Sequence, residues 1–158
     1  MRKFSALVHL REKSQGIDRT LDSLKISDEV LVIDHLATEE TRELLRKHGA
    51  QVLDAIDGVH DGAYATNATH DWVLIVNPSE SPDSELRSAL ERWKHEDARK
   101  DDQVSGYTIA VNSQASQPDN HEHRELRFVN RTRINWMEEP PGSASNVLSF
   151  PGSLLRVA

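Results

Sequence analysis

Two polar residues that each close an apolar run are the first candidates for chemistry. Asp34 ends Val30-Leu31-Val32-Ile33, and Asn77 ends Trp72-Val73-Leu74-Ile75-Val76. In an open α/β sheet, ligands gather beyond the carboxyl ends of strands where the strand order reverses, so one cleft could hold both residues. A carboxylate at Asp34 suits hydrogen bonding to a base or a ribose; the plainer alternative is a cap on the turn into the next helix. Glu39 opens that helix, where an acid also suits the macrodipole. Beyond Asn77 stand Pro78, Ser79 and Glu80. Asn77 and Ser79 are neutral, and Glu80, one residue further along an extended strand, turns to the other face. Arg124, Arg127, Arg131 and Arg133 form a basic cluster in an acidic chain. Facing a cleft, their guanidinium forks would hold a phosphate group; on a sheet edge they would only defend it. His121-Glu122-His123 with Asp119 mixes imidazole and carboxylate as zinc or nickel sites do, but no further ligand follows at a diagnostic interval, and a polar loop is the simpler reading. His60-Asp61 reads in the same way, as a surface turn.

These residues need elements to position them. Phe4 to Leu10 is short and mostly apolar, a buried first strand. Ile17, Leu21 and Leu24 recur at helical spacing. Glu29 to Ile33 is a second strand; Thr38 caps a helix carrying Glu39 and Glu40 in its first turn and closed by Gly49. Gln51-Val52-Leu53 is a third strand, so β-α-β-α-β predicts a mostly parallel sheet flanked by helices on both faces. Asp61 to Thr69 has a helical alanine pattern, and Trp72 to Val76 is the expected central strand. Ser81-Pro82 reads as a cap followed by proline at the first helical position, ahead of the stripe Leu86, Ala89, Leu90 and Trp93. Gly106 to Val111 resumes strand character, Asn112 to Arg124 is a polar loop, Leu126 to Val129 with Ile134 to Met137 suggests a hairpin or a pair of edge strands, and Glu138 to Ser145 is irregular.

The whole is one domain over residues 1–158, with 37% hydrophobic residues, a net charge of −7 and no cysteine. The absent cysteines exclude disulfide scaffolds, thiol nucleophiles and thiolate zinc sites, and they permit a cytoplasmic location. The acidic balance argues against nucleic acid as a partner, and Phe128 and Trp136 are a thin supply of stacking platforms. No apolar run is long enough for a membrane span. The start, Met1 to Leu10, lacks the small-residue cleavage site of a signal peptide.

The order of phrases resembles the nucleotide-sugar-binding core of family 2 glycosyltransferases, particularly the lipopolysaccharide-core type. The stations are Arg19-Thr20-Leu21-Asp22-Ser23-Leu24, then Val32-Ile33-Asp34 leading to Thr38-Glu39-Glu40-Thr41, then His48-Gly49-Ala50-Gln51-Val52. Tyr64-Ala65-Thr66-Asn67-Ala68 and Asp71-Trp72-Val73-Leu74-Ile75-Val76-Asn77-Pro78-Ser79-Glu80 follow, with a faint echo at Arg127-Phe128-Val129. The resemblance implies a GT-A fold, a nucleotide-activated sugar as ligand with a UDP-sugar the first guess, and a site of Asp34, Glu39, Asn77 and Ser79. It also exposes a departure. The family's metal-binding Asp-x-Asp is replaced by Asn77-Pro78-Ser79, so Mn²⁺ or Mg²⁺ is expected only if Glu80 rescues the site, and Arg127 is a candidate pyrophosphate contact in its place. For a general base the late carboxylates Asp119, Glu122, Glu138 and Glu139 are available, each reading more simply as a solvated loop charge. The family also runs well beyond this length, which implies a shortened domain without the acceptor-binding part. Together these features imply a weakly active or inactive glycosyltransferase-like domain, or a non-catalytic interaction module on the same scaffold.

Overall fold

The computed structural model describes residues 1–11, 16–36, 38–59, 61–113, 123–134 and 146–156. The first half alternates strand and helix: β1 (Phe4–Leu10), α1 (Ile17–Ser23), β2 (Glu29–Asp34), α2 (Glu39–Lys47) and β3 (Gln51–Asp54). A 3-10 helix, Asp61–Asn67, takes the place of the expected alanine-rich helix and leads into β4 (Trp72–Val76). Then come β5 (Glu80–Pro82), α3 (Ser84–His95), β6 (Gly106–Ser113), β7 (Arg124–Asn130) and β8 (Val147–Arg156), with a 3-10 turn at Ala98–Asp101. They build one eight-stranded sheet in the order β3-β2-β1-β4-β7-β6-β8-β5. Pairings β1 with β2, β1 with β4, β2 with β3 and β6 with β8 are parallel; β4 with β7, β6 with β7 and β5 with β8 are antiparallel.

Strand alternation divides the core between the two faces of the sheet. Phe4, Ala6, Val8 and Leu10 of β1 pack with Leu21 of α1, Leu45 of α2 and Leu86, Leu90 and Trp93 of α3. Leu7, Leu31, Ile33 and Val73 point the other way, against Tyr64, Ala65 and Ala68. The expected cover on both faces is therefore unequal: three α-helices on one, the 3-10 helix on the other. The geometry follows from chain direction. Each right-handed crossover from β1 through β2 to β3 lays its helix on the same face, and the return from β3 to β4, on β1's far side, must pass beneath the opposite one.

Two local expectations are corrected. Ser81-Pro82 does not start α3 but belongs to β5, an edge strand paired with β8, where proline's missing N–H goes unneeded. Asp83 is the cap, its carboxylate accepting from Leu86 N at 2.7 Å. Leu126 to Val129 belongs to no edge hairpin: β7 is interior, between β4 and β6. Ile134 lies in a turn, and the remainder of that proposed partner strand is outside the described residues. Among the described residues, no helix is long and apolar enough to cross a membrane.

Candidate functional site

β2 lies on one side of β1 and β4 on the other, so strand order reverses at β1 and a crevice is expected beyond its carboxyl end. Register brings Leu10, Asp34 and Asp54 level at the ends of β1, β2 and β3. Asp34 is 1% exposed and accepts from Leu36 N at 2.9 Å, which bends the chain out of β2. The crossing is held by backbone bonds on both sides, from His35 N to Leu10 O and from Ala55 N to Asp34 O. Thr38 then caps α2, accepting from Thr41 N. Glu39 sits exposed in the first turn, 3.9 Å from Arg46, which favours its reading as a helix-start acid.

Two histidines and a tyrosine that the residue pattern left unremarked stand at the same end. His9 Nδ1 and His35 Nε2 are 3.2 Å apart, and the His9 ring meets the Tyr64 ring edge-on at 5.6 Å. Tyr64 is itself fixed, its oxygen accepting from Ile56 N at 2.7 Å. Their signal in the sequence was slight: one polar residue inside a buried strand, and one directly after Asp34.

At the end of β4 the chain closes a tight turn. Glu80 N donates to Asn77 O at 3.0 Å, while Asn77 N donates to Glu80 Oε1 at 2.8 Å. Thr20 of α1 donates to Pro78 O at 2.7 Å. Asn77 is exposed and Ser79 half-buried, and both follow the end of β4, on the far side of β1 from Asp34. Glu80 is fully buried. Arg127 grips it in a fork, Nη1 to Oε1 at 2.6 Å and Nη2 to Oε2 at 3.1 Å, and Arg156 stands 3.4 Å from Oε2.

That arrangement overturns two expectations. The donor set at the turn does not fit a divalent cation, because the one carboxylate there is committed to guanidinium and backbone donors and its neighbours are neutral. Arg127 is not open to a pyrophosphate either: it is 4% exposed and also donates to Ile75 O and Glu125. Burial pushes the Glu125 carboxyl up, but the Arg127 charge and the bonds from Arg127 and His123 outweigh it and hold it below its ordinary range.

A search of family models finds no match. Among curated proteins, the chain is 32% identical to an uncharacterized glycosyltransferase of Rickettsia prowazekii over 95 residues, 58% of this chain and 32% of that one. The corresponding uncharacterized glycosyltransferase of Rickettsia conorii is 31% identical over 93 residues, 56% and 33% of the two chains. This chain thus spans about a third of the length of the curated relatives it matches. Among solved structures, Staphylococcus aureus TarS superposes with a TM-score of 0.65 at 13% identity, covering 98% of this chain and 60% of that one. Glucosyl-3-phosphoglycerate synthase from Mycobacterium tuberculosis, solved with Mn²⁺, UDP-glucose and phosphoglyceric acid, gives 0.51 at 14% identity, over 73% and 45%. The fold is GT-A, and over part of its length the sequence is similar to glycosyltransferases.

On the GT-A scaffold the remaining candidates take structural places. Arg124 donates to the carbonyls of Thr108 and Phe150, Arg131 to those of His70 and Thr66, and Arg133 to those of Asp101 and Val104. The basic cluster staples neighbouring strands and loops together. His123 is paired with Glu125 at 3.0 Å. His60, Asp119, His121, Glu122, Glu138 and Glu139 lie outside the described residues, as does the side chain of Asp61. Among the described residues, no group of three His, Cys, Asp or Glu is placed to hold a metal ion.

Proposed function

We propose that this chain is a nucleotide-sugar-binding domain of glycosyltransferase type that takes its ligand over the carboxyl ends of β1, β2 and β4 without a divalent cation, and that catalyses transfer weakly or not at all. Asp34 addresses the nucleoside, and Asn77 and Ser79 form the opposite wall. The reading is supported by the reversal of strand order at β1, which puts the ends of β2 and β4, with Asp34 and Asn77, on opposite sides of β1. The similarity to a synthase solved with UDP-glucose supports a uridine diphosphate sugar as the first ligand to try. The internal Glu80–Arg127 pair supports independence from metal, since leaving-group charge would need another source of stabilisation for rapid transfer.

Calorimetric titration with uridine diphosphate, with and without Mn²⁺, tests this. The expected result is saturable binding indifferent to Mn²⁺ and weakened by roughly tenfold or more in Asp34→Ala, as for loss of one charge-assisted hydrogen bond. Binding strengthened by Mn²⁺ would overturn the metal-free reading. No binding at millimolar ligand would sink the uridine donor and favour an interaction module on this scaffold.

A further inference from the structure

The opposite end of the sheet carries a second concavity, independent of the crevice above. A cleft of about 430 Å³ opens where the chain enters β1 and β4, lined by Arg2, Lys3, His70, Asp71, Asp101 and Arg133 among others. Arg2 is held there as a rigid plate. Its Nη2 donates to Asp101 at 2.7 Å, and its guanidinium carbon lies 3.9 Å from the centre of the Trp93 ring. Asp101 is in turn fixed by Trp93 Nε1 at 3.0 Å and the Tyr107 hydroxyl at 3.1 Å. Arg133 is tied from the other side, its Nη1 donating to the carbonyls of Asp101 and Val104 at 3.0 and 2.7 Å.

The charges in this cleft do not cancel. Asp101 is matched by Arg2, and Asp71 by Arg131 at 3.4 Å. Lys3 and Arg133 have no carboxylate partner among the described residues, in a protein whose net charge is −7. Arg2 Nη1 is buried and has no hydrogen-bond acceptor among the described residues. His70 stands on the same wall. Trp72 and Trp93 are 6% and 2% exposed, so the cleft has no open aromatic face on which a base would stack.

An exposed guanidinium at Arg133, tied through Nη1 and with a lysine beside it and no stacking surface, describes an oxyanion receptor, since recognition of phosphate is what the planar fork does best. We propose that this cleft binds a phosphate group, free or carried as a small monoester, between the exposed side chains of Lys3 and Arg133, with the Arg2 plate behind them.

The test is titration of the ¹⁵N-labelled full chain with inorganic phosphate and, separately, methyl phosphate, at constant ionic strength. The indole N–H signal of Trp93 reports, because that group shares Asp101 with Arg2. A saturable shift is expected, with affinity reduced roughly tenfold in Lys3→Glu, because reversing one exposed charge beside a dianion changes the interaction by a few RT even in water. Asp34→Asn, altered at the other end of the sheet, should keep the wild-type affinity. Tighter binding of the ester identifies the monoester as the natural form, and tighter binding of phosphate identifies the free ion. No saturation at millimolar concentrations, equal affinity in Lys3→Glu, or loss of binding in Asp34→Asn would each overturn the proposal.

Discussion

Asp34 and Glu80 are both buried carboxylates beyond the carboxyl ends of strands that flank β1, yet they belong to different kinds of structure. Asp34 takes a hydrogen bond from the backbone of its own turn and stands at the mouth of a parallel, helix-covered half-sheet. Glu80 closes its turn from inside and is gripped by Arg127 of β7 and approached by Arg156 of β8. Charge near a ligand is useful only while it can respond to that ligand. A carboxylate neutralised by a fork of guanidinium bonds is a structural strut, so the proposed ligand contact is assigned to Asp34 rather than to Glu80.

The largest effect that would sharpen this contrast comes from Arg127→Met. Leaving Glu80 buried without its fork should cost about 3–5 kcal/mol in urea unfolding, whereas the double variant Arg127→Met/Glu80→Leu should recover most of the loss. If the double variant is as unstable as the single one, the pair is not the strut described. Thr20→Val removes the hydroxyl that bonds Pro78 O and should cost about 1–2 kcal/mol, read in the same unfolding experiment. The smallest change in stability is expected for Asp34→Asn, about 1 kcal/mol or less, because an amide oxygen can still accept from Leu36 N. A loss of stability there as large as that of Arg127→Met would break the comparison, since Asp34 would then be a strut as well.

The parallel half of the fold was legible because its signals are local. Apolar runs end where β1, β2 and β4 end, Thr38 caps α2 as its type requires, and Gly49 closes that helix at a φ of 73°. The resemblance located Asp34 and the turn after β4 for the same reason, being a matter of short phrases in order. The other half is built by distant partners. Pro82 looks like a helix start until β8 pairs with it, and the arginines look like edge defence until β7 is placed between β4 and β6. Residues 147–156 contain Pro151 and Gly152, which argue against a strand locally. Yet Gly152, at a φ of 87°, is what lets β8 lie against α3, since a β-carbon there would come within 2.2 Å of Leu86 N. The fate of Glu80 and Arg127 could not be read from spacing, because the two residues face each other across 47 positions of chain.

The insertion of β8 between β6 and β5 also bears on the order in which the molecule assembles. Its contact with Glu80 spans 76 residues, so the chain must close a long loop before that pairing rewards it, which places β8 late in assembly. Until β8 arrives, β6 presents an unpaired edge and Arg156 is absent from beside Glu80. The parallel half can reach native-like order first, while the half that locks the β4 turn remains open to pairing with another copy. Substitutions in β8 should therefore act mainly by hastening unfolding, which makes the lifetime of the folded state, rather than the speed of reaching it, the property this strand controls.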